Sequence, residues 1–247
     1  MSFTGNTILI TGGTSGIGRA LAEALQQKGN HVIIAGRRRN LLDEVTRANP
    51  GMSAVELNMD DASSIAGTAA QLTRDYPALN ALVHNAGIMR PEDVKKGELE
   101  TAEAIITTNL LGPIRLTAAL MPHLLRQPAA TIFTVSSGLA FVPLAFTPTY
   151  NATKAAIHSY TMSLRYQLRD TGIRVREIIP PWVATELMGA VPNDPRAMPL
   201  ADFIKEAVEL IDTDADEITV QRVLPLRNAP KGDEYGFFKM FNDSAPH

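Results

Sequence analysis

Thr7-Ile-Leu-Ile-Thr-Gly-Gly-Thr-Ser-Gly-Ile-Gly18 decides the fold. Thr7–Ile10 is a short apolar run rich in β-branched residues, and it stops at Thr11-Gly12-Gly13. A helical pattern follows at once, with Ile17, Ala20, Leu21, Ala24 and Leu25 on one face and Gly29 closing it. A buried strand that turns through glycines into a helix presents backbone N–H groups and the positive end of a helix dipole to the turn. That arrangement suits a phosphate. The spacing Gly12, Gly16, Gly18 differs from G-x-G-x-x-G, and no Gly-Lys-Ser/Thr ending of a P-loop is present. Thr14, Ser15 and Ile17, between those glycines, join them as nucleotide-contact candidates.

Outward from this unit the same alternation continues. Strands are expected at Val32–Ala35, Ser53–Leu57, Leu79–His84, Thr131–Val135, Ile173–Ile179 and Glu217–Val220. Helices are expected at Asn40–Ala48, Asp61–Asp75, Leu99–Asn109, Leu110–Arg126, Tyr150–Arg169 and Leu200–Ile211. The strands are continuous apolar runs, the signature of a parallel sheet covered on both faces. The pattern predicts one doubly wound α/β domain over residues 1–247 with about seven strands. A substrate loop is expected at about 182–200. The tail from about 221, polar and carrying Pro225, Pro230 and Pro246, is expected to be irregular.

The 247 residues are 45% hydrophobic and 20% charged, with a net charge of -3, enough apolar material for one sizeable core. Slight acidity gives no electrostatic reason for a nucleic-acid or membrane partner. The absence of cysteine excludes disulfides and thiolate chemistry and fits a reducing compartment. The start reads as no signal peptide, and no apolar run approaches the roughly 20 residues of a membrane span. A cytoplasmic location is the expectation.

About twenty residues after the glycine loop, where an acidic residue would hold a free ribose hydroxyl, the chain reads Ala35-Gly36-Arg37-Arg38-Arg39. A guanidinium fork matches phosphate oxygens, so Arg37 and Arg38, with Arg19 nearby, favour NADP(H) over NAD(H). Farther along, Tyr150-Asn-Ala-Thr-Lys154 sets a phenol and an ammonium four residues apart, one turn apart on one helix face. A nearby positive charge lowers a tyrosine pKa from its usual value of about 10, toward the operating pH, where a general acid–base works best. Alone this pair is a weak signal, since most such pairs are solvated.

With these pieces in order, the chain resembles the single-domain short-chain dehydrogenase/reductase family over about residues 5–190. The resemblance rests on TGGTSGIG, His84-Asn85-Ala86-Gly87, Asn109, Ser137, Tyr150 with Lys154, and Pro180-Pro181-Trp182-Val183-Ala184-Thr185. SSGLAFVPLAF, YNATKAAIHSYTMSLRYQLRDTGI and PPWVATEL are most similar to its DltE-like branch. The resemblance implies a Rossmann-type sheet and a catalytic set of Asn109, Ser137, Tyr150 and Lys154. Tyr150 would exchange the proton, Lys154 would lower its pKa and hold the nicotinamide ribose, and Ser137 would stabilise the substrate oxygen. Asn58, Met59, Asn85, Ala86 and Gly87 would line the adenosine side. Pro180, Val183 and Thr185 would line the nicotinamide. A homodimer or homotetramer through the Leu110 and Tyr150 helices is also implied.

Three departures stand out: His84 for asparagine, Asn58 for aspartate, and Pro181 for glycine. His84, His123 and His158 read as structural. The clustered carboxylates read as caps and solvated faces, with no metal-ligand spacing. Leu139, Phe141, Phe146, Trp182, Leu187 and Met188 read as an apolar pocket for a bulky uncharged ketone, aldehyde or secondary alcohol. Two competing readings are a non-catalytic NADP(H)-binding redox sensor and a nucleotide-sugar epimerase or dehydratase.

Overall fold

The computed structural model describes residues 2–187, 194–230 and 232–244. Seven strands alternate with helices in chain order: β1 (Thr7–Thr11), α1 (Gly16–Gln27), β2 (His31–Gly36), α2 (Arg39–Ala48), β3 (Ser53–Glu56), α3 (Ala62–Asp75) and β4 (Leu79–His84). Then come α4 (Glu100–Ile106), α5 (Gly112–Leu124), β5 (Ala130–Val135), α6 (Pro148–Gln167), β6 (Ile173–Ile179), α7 (Leu200–Ile211), β7 (Glu217–Thr219), α8 (Leu224–Arg227) and α9 (Glu234–Ser244). All neighbouring strands pair in parallel in the order β3-β2-β1-β4-β5-β6-β7. The sheet is therefore the doubly wound sheet that the alternation predicts.

Successive strand side chains point to opposite faces, and the core divides accordingly. Ile8 and Ile10 join α1, α2 and α7 through Leu21, Leu42 and Phe203. Leu9 joins α3, α5 and α6 through Ile65, Leu116 and Leu164 on the other face. The chain winds outward from β1 to β3 and then returns to β4 on the opposite side of β1. The carboxyl ends of β1 and β4 thus form the switch point at which such folds leave a crevice.

Two expectations are corrected. The stretch 100–124 is one continuous helix rather than two, because Thr107–Leu111 continues it as a π-helical segment. Joined in this way, its 25 residues pass the length and apolarity test for a membrane span that separate pieces would fail. Ile105, Leu116, Leu120 and Leu124 on it are 0% exposed and pack into the core. Among the described residues the tail forms two helices, α8 and α9. Pro225 sits in the first turn of α8, where a missing N–H costs nothing, and Pro230 falls between helices. In α9, Phe237, Phe238 and Phe241 turn one half-buried face inward.

Candidate active site

The loop after β1 is shaped by contacts a side chain would destroy. Gly12 has φ +68°, and a Cβ there would lie 2.9 Å from Ala86 Cα. A Cβ on Gly18 would lie 2.3 Å from Asn85 Nδ2 and from the Gly12 carbonyl. Gly13, not singled out by the sequence, would strike Ile34 at 2.6 Å. Thr11 was also missed, and it is the knot between loop and sheet. Its hydroxyl donates to the Val83 carbonyl at 3.3 Å and accepts the N–H groups of Asn85 and Ala86 at 3.0 Å each. Asn85 Nδ2 in turn donates to the Thr11 and Gly12 carbonyls, so this side chain braces the loop. Thr14 is buried against the end of β2, Ile17 packs into the core, and Ser15 is exposed at the start of α1. Ser15 makes no side-chain cap bond and the first turn holds no acidic residue. The N–H groups of the α1 terminus therefore remain available to an anion.

Ser137, Tyr150, Lys154 and Asn109 are all buried and gather next to this loop. Lys154 Nζ donates to the Val135 carbonyl at 2.7 Å and lies 5.5 Å from the Tyr150 ring centroid. A Cβ on Gly87 would lie 3.9 Å from Lys154 Nζ and 3.3 Å from Asn109 Oδ1. Asn109 clamps the segment after β4, its Oδ1 accepting the Ile88 N–H at 2.8 Å and its Nδ2 donating to the Ile88 carbonyl at 2.9 Å. The π-helical segment carries this side chain, and such segments recur at functional sites. Burial pushes Tyr150 up to about 12, and the Ser137 hydroxyl opposes that rise. Burial pushes Lys154 down to about 8, and the charge of Glu177 opposes that fall. The sequence leads one to expect Lys154 to lower Tyr150; here the opposing contact is Ser137, because the ammonium is turned to Val135.

The arginines differ from one another. Arg37 pairs with Asp60 at 3.4 Å, Arg39 with Asp43 at 2.9 Å, and Arg19 with Glu23 at 2.9 Å. Among the described residues Arg38 has no carboxylate partner, and its backbone caps α2. Asn58 Oδ1 accepts the Asp60 N–H at 3.2 Å, and Met59 is buried under Gly112. His84 is buried, with Nε2 2.7 Å from the Thr117 hydroxyl, in keeping with a structural role.

Pro180 lends its carbonyl to the Gly138 N–H at 2.9 Å, tying the segment after β6 to the Ser137 turn. Val183 bridges Met198, and Thr185 lies 3.5 Å from where a Cβ of Gly16 would stand. Trp182 and Leu187 are exposed, Leu139 and Phe146 half-buried, and Met188 falls outside the described residues. Phe141 meets the His158 ring edge-on at 4.8 Å, and the Arg227 guanidinium lies over it at 4.7 Å. The tail supports this turn directly, since a Cβ on Gly138 would meet Leu226 and Val223 within 3 Å. His158, Glu177 and Glu217 bring their ligand atoms within 4.8 Å of one another, a cluster that spacing in the sequence hides because three separate elements build it.

The family model described as short chain dehydrogenase matches residues 6–196. An uncharacterized oxidoreductase, DltE of Bacillus subtilis (strain 168), is 40% identical over 98% of both chains. Among solved structures, a short chain dehydrogenase from Burkholderia cenocepacia J2315 in complex with NADP superposes with a TM-score of 0.84 over 100% of both chains at 24% identity. A short chain dehydrogenase/reductase from Burkholderia phymatum in complex with NAD gives 0.80 over 100% of this chain and 99% of that one at 18% identity.

Proposed function

Because the chain belongs to the short-chain dehydrogenase/reductase family, we propose that it is an NADP(H)-dependent oxidoreductase acting on a carbonyl or secondary alcohol through Ser137, Tyr150, Lys154 and Asn109. The observation that carries this reading is the burial of those four side chains beside an uncapped helix terminus at the switch point of the sheet. The residues present fit a dinucleotide. The glycine turn admits close backbone approach, and the open N–H groups of α1 match a pyrophosphate. The nicotinamide, when bound, supplies or takes up the hydride.

The chain's own groups do the rest. Gly12, Gly16 and Gly18 with α1 hold the pyrophosphate, and Arg38, assisted by Arg37, holds a 2′-phosphate. The backbone from Asn85 to Gly87 borders the adenosine, while Pro180, Val183 and Thr185 border the carboxamide. Ser137 donates to the substrate oxygen as negative charge grows on it. Tyr150 gives that oxygen its proton in reduction and removes it in oxidation. Lys154 holds positive charge beside the phenol and the ribose. Leu139, Phe146, Trp182 and Leu187 favour a bulky uncharged substrate.

NAD(H) is the second cofactor option, consistent with a fold neighbour that holds NAD. A homodimer or homotetramer is supported by an open groove of about 630 Å³ between α4 and α6, lined by Leu99, Ala102, Ile106, Leu110 and Ala156. A compartment without disulfide chemistry fits the cysteine-free chain.

The test is Tyr150→Phe assayed with NADPH against a ketone and aldehyde panel. Loss of turnover with NADPH affinity unchanged is expected. Turnover at the wild-type rate would overturn the mechanism. NADPH binding by the wild type without turnover across the panel would select a redox-sensing module instead.

A further inference from the structure

Lys154 is only 6% exposed, and among the described residues its ammonium has no carboxylate within ion-pair distance. A buried charge without a counter-charge is costly. One helical turn along α6 lies His158, whose Nδ1 is 2.8 and 3.0 Å from the two carboxylate oxygens of Glu177. Glu177 is 0% exposed. Register pairs it with Thr134, the residue before Val135, and it is the Val135 carbonyl that holds Lys154 Nζ. Thr134 and Glu177 both meet α6, through Thr161 and His158. The Glu177 carboxylate on β6 and the Lys154 ammonium, reaching from α6 to the Val135 carbonyl of neighbouring β5, therefore lie under one face of α6.

Other charges face this group as well. Glu217 of β7 completes the cluster with His158 and Glu177. The Arg227 fork of α8 holds Glu217 with Nε at 2.8 Å and Nη2 at 2.9 Å. Arg165 reaches the Val175 carbonyl from α6, and Tyr150 lies on the opposite side of Lys154. Arg227 already supplies the cation that Glu217 needs, so the arrangement is an ion network rather than a metal site.

We propose that Glu177, oriented by His158, is a positioning residue: a buried counter-charge that keeps Lys154 an ammonium and so sets the pH range of the Tyr150–Lys154 pair. This rests on reading that pair as the acid–base group. In a poorly solvated interior, opposite charges on neighbouring elements stay coupled beyond ion-pair distance. The side chain acts through Lys154, with no contact to substrate required of it.

The experiment follows the lysine Cε resonances of the full chain, labelled with 13C, through a pH titration. Lys154 is assigned by its loss in Lys154→Arg. In Glu177→Gln the Lys154 midpoint should fall by about one pH unit, a tenfold loss of ammonium at a given alkaline pH. Glu177→Asp, which keeps the charge, should restore most of it. Should Glu177→Gln fail to fold, Arg227→Gln on the more exposed side removes a cation from the network and should raise the midpoint. A midpoint unmoved in a folded Glu177→Gln, or unmoved in Arg227→Gln, overturns the proposal. The alkaline limb of carbonyl reduction should follow the midpoint downward in Glu177→Gln. If the resonance moves and that limb stays, the acid–base reading fails while the counter-charge stands.

Discussion

Both carboxylate oxygens of Glu92 end on Thr149: Oε1 accepts its N–H at 3.0 Å and Oε2 its hydroxyl proton at 2.7 Å. Thr149 lies in the first turn of α6, directly before Tyr150, and the helix's own N-cap residue, Thr147, makes no capping bond. The cap is thus supplied from 57 residues away, by the loop that also donates the Glu92 N–H to the Phe146 carbonyl. An N-cap interaction is worth about 1 kcal/mol. Glu92→Ala should lower stability by about that much in urea titrations and reduce kcat, because the tyrosine's helix loses its seat. An unchanged urea midpoint would show that α6 needs no such cap.

Ser137 lies at the head of the turn that packs on Val223 and Leu226, and its hydroxyl opposes the burial-driven rise of Tyr150. Removing one donor aimed at a developing oxyanion costs roughly 100- to 1,000-fold in kcat. Ser137→Ala should show a loss of that order, with NADPH affinity unchanged in fluorescence titrations of Trp182. A loss below about threefold would take Ser137 out of the chemistry.

Strand and helix placement was legible because local apolar periodicity determines it: β6 (Ile173–Ile179) and α7 (Leu200–Ile211) fall where the pattern puts them. The four side chains Ser137, Tyr150, Lys154 and Asn109 were legible as residues, and the parallel sheet accounts for their meeting. What was hidden depends on distant partners. The π-helical segment has no signature of its own in Thr107–Leu111, and it joins two helices that the spacing separates. The tail looked irregular because proline and polar residues dominate it, whereas Asn242 anchors α9 by donating to the Pro143 carbonyl at 3.0 Å. The roles of Thr11 and Glu177 come from neighbours 72 and 19 residues away.

The arginine cluster makes a graded prediction. Arg37 already answers Asp60, while Arg38 is the guanidinium with no carboxylate partner among the described residues. A charge-assisted bond is worth roughly 1.5–3 kcal/mol. Arg38→Ala should therefore weaken NADPH binding by about tenfold or more and leave NADH binding nearly unchanged. Arg37→Ala should cost less, since Asp60 already offsets part of the Arg37 charge. Equal losses for both cofactors in Arg38→Ala would place that side chain away from the 2′-phosphate.

Two glycines should respond with opposite sign to the same change. Gly18→Ala puts a Cβ 2.3 Å from the Gly12 carbonyl oxygen, a backbone atom with little room to move. Overpacking of this kind costs about 1–3 kcal/mol, and NADPH affinity should fall with it. Gly67 lies exposed inside α3 with nothing within 4 Å of a Cβ. Gly67→Ala should stabilise the chain by about 0.5–1 kcal/mol. A Gly18→Ala midpoint equal to wild type would show that the loop relaxes around the added methyl, and a Gly67→Ala midpoint below wild type would show that helix propensity does not decide that site.

His84 makes the chain acid-sensitive in a predictable window. It is 4% exposed, its Nε2 meets Thr117, and its Nδ1 has no partner among the described residues. Burial alone pushes it down to about 3, against about 6.5 in an unfolded chain. The folded value lies below the unfolded one, so between those values the unfolded chain takes up a proton that the folded chain refuses. The stability tied to this group is therefore complete above about pH 6.5 and drains away as pH falls toward about 3. The slope from one such group is at most about 1.4 kcal/mol per pH unit. His84→Asn cannot titrate, so it should lower stability by a constant amount while flattening this slope. Urea titrations from pH 7.5 to pH 4 compare the two: the gap between wild type and variant should narrow as pH falls. A gap that stays constant across the window would mean that His84 protonates in the folded chain without penalty.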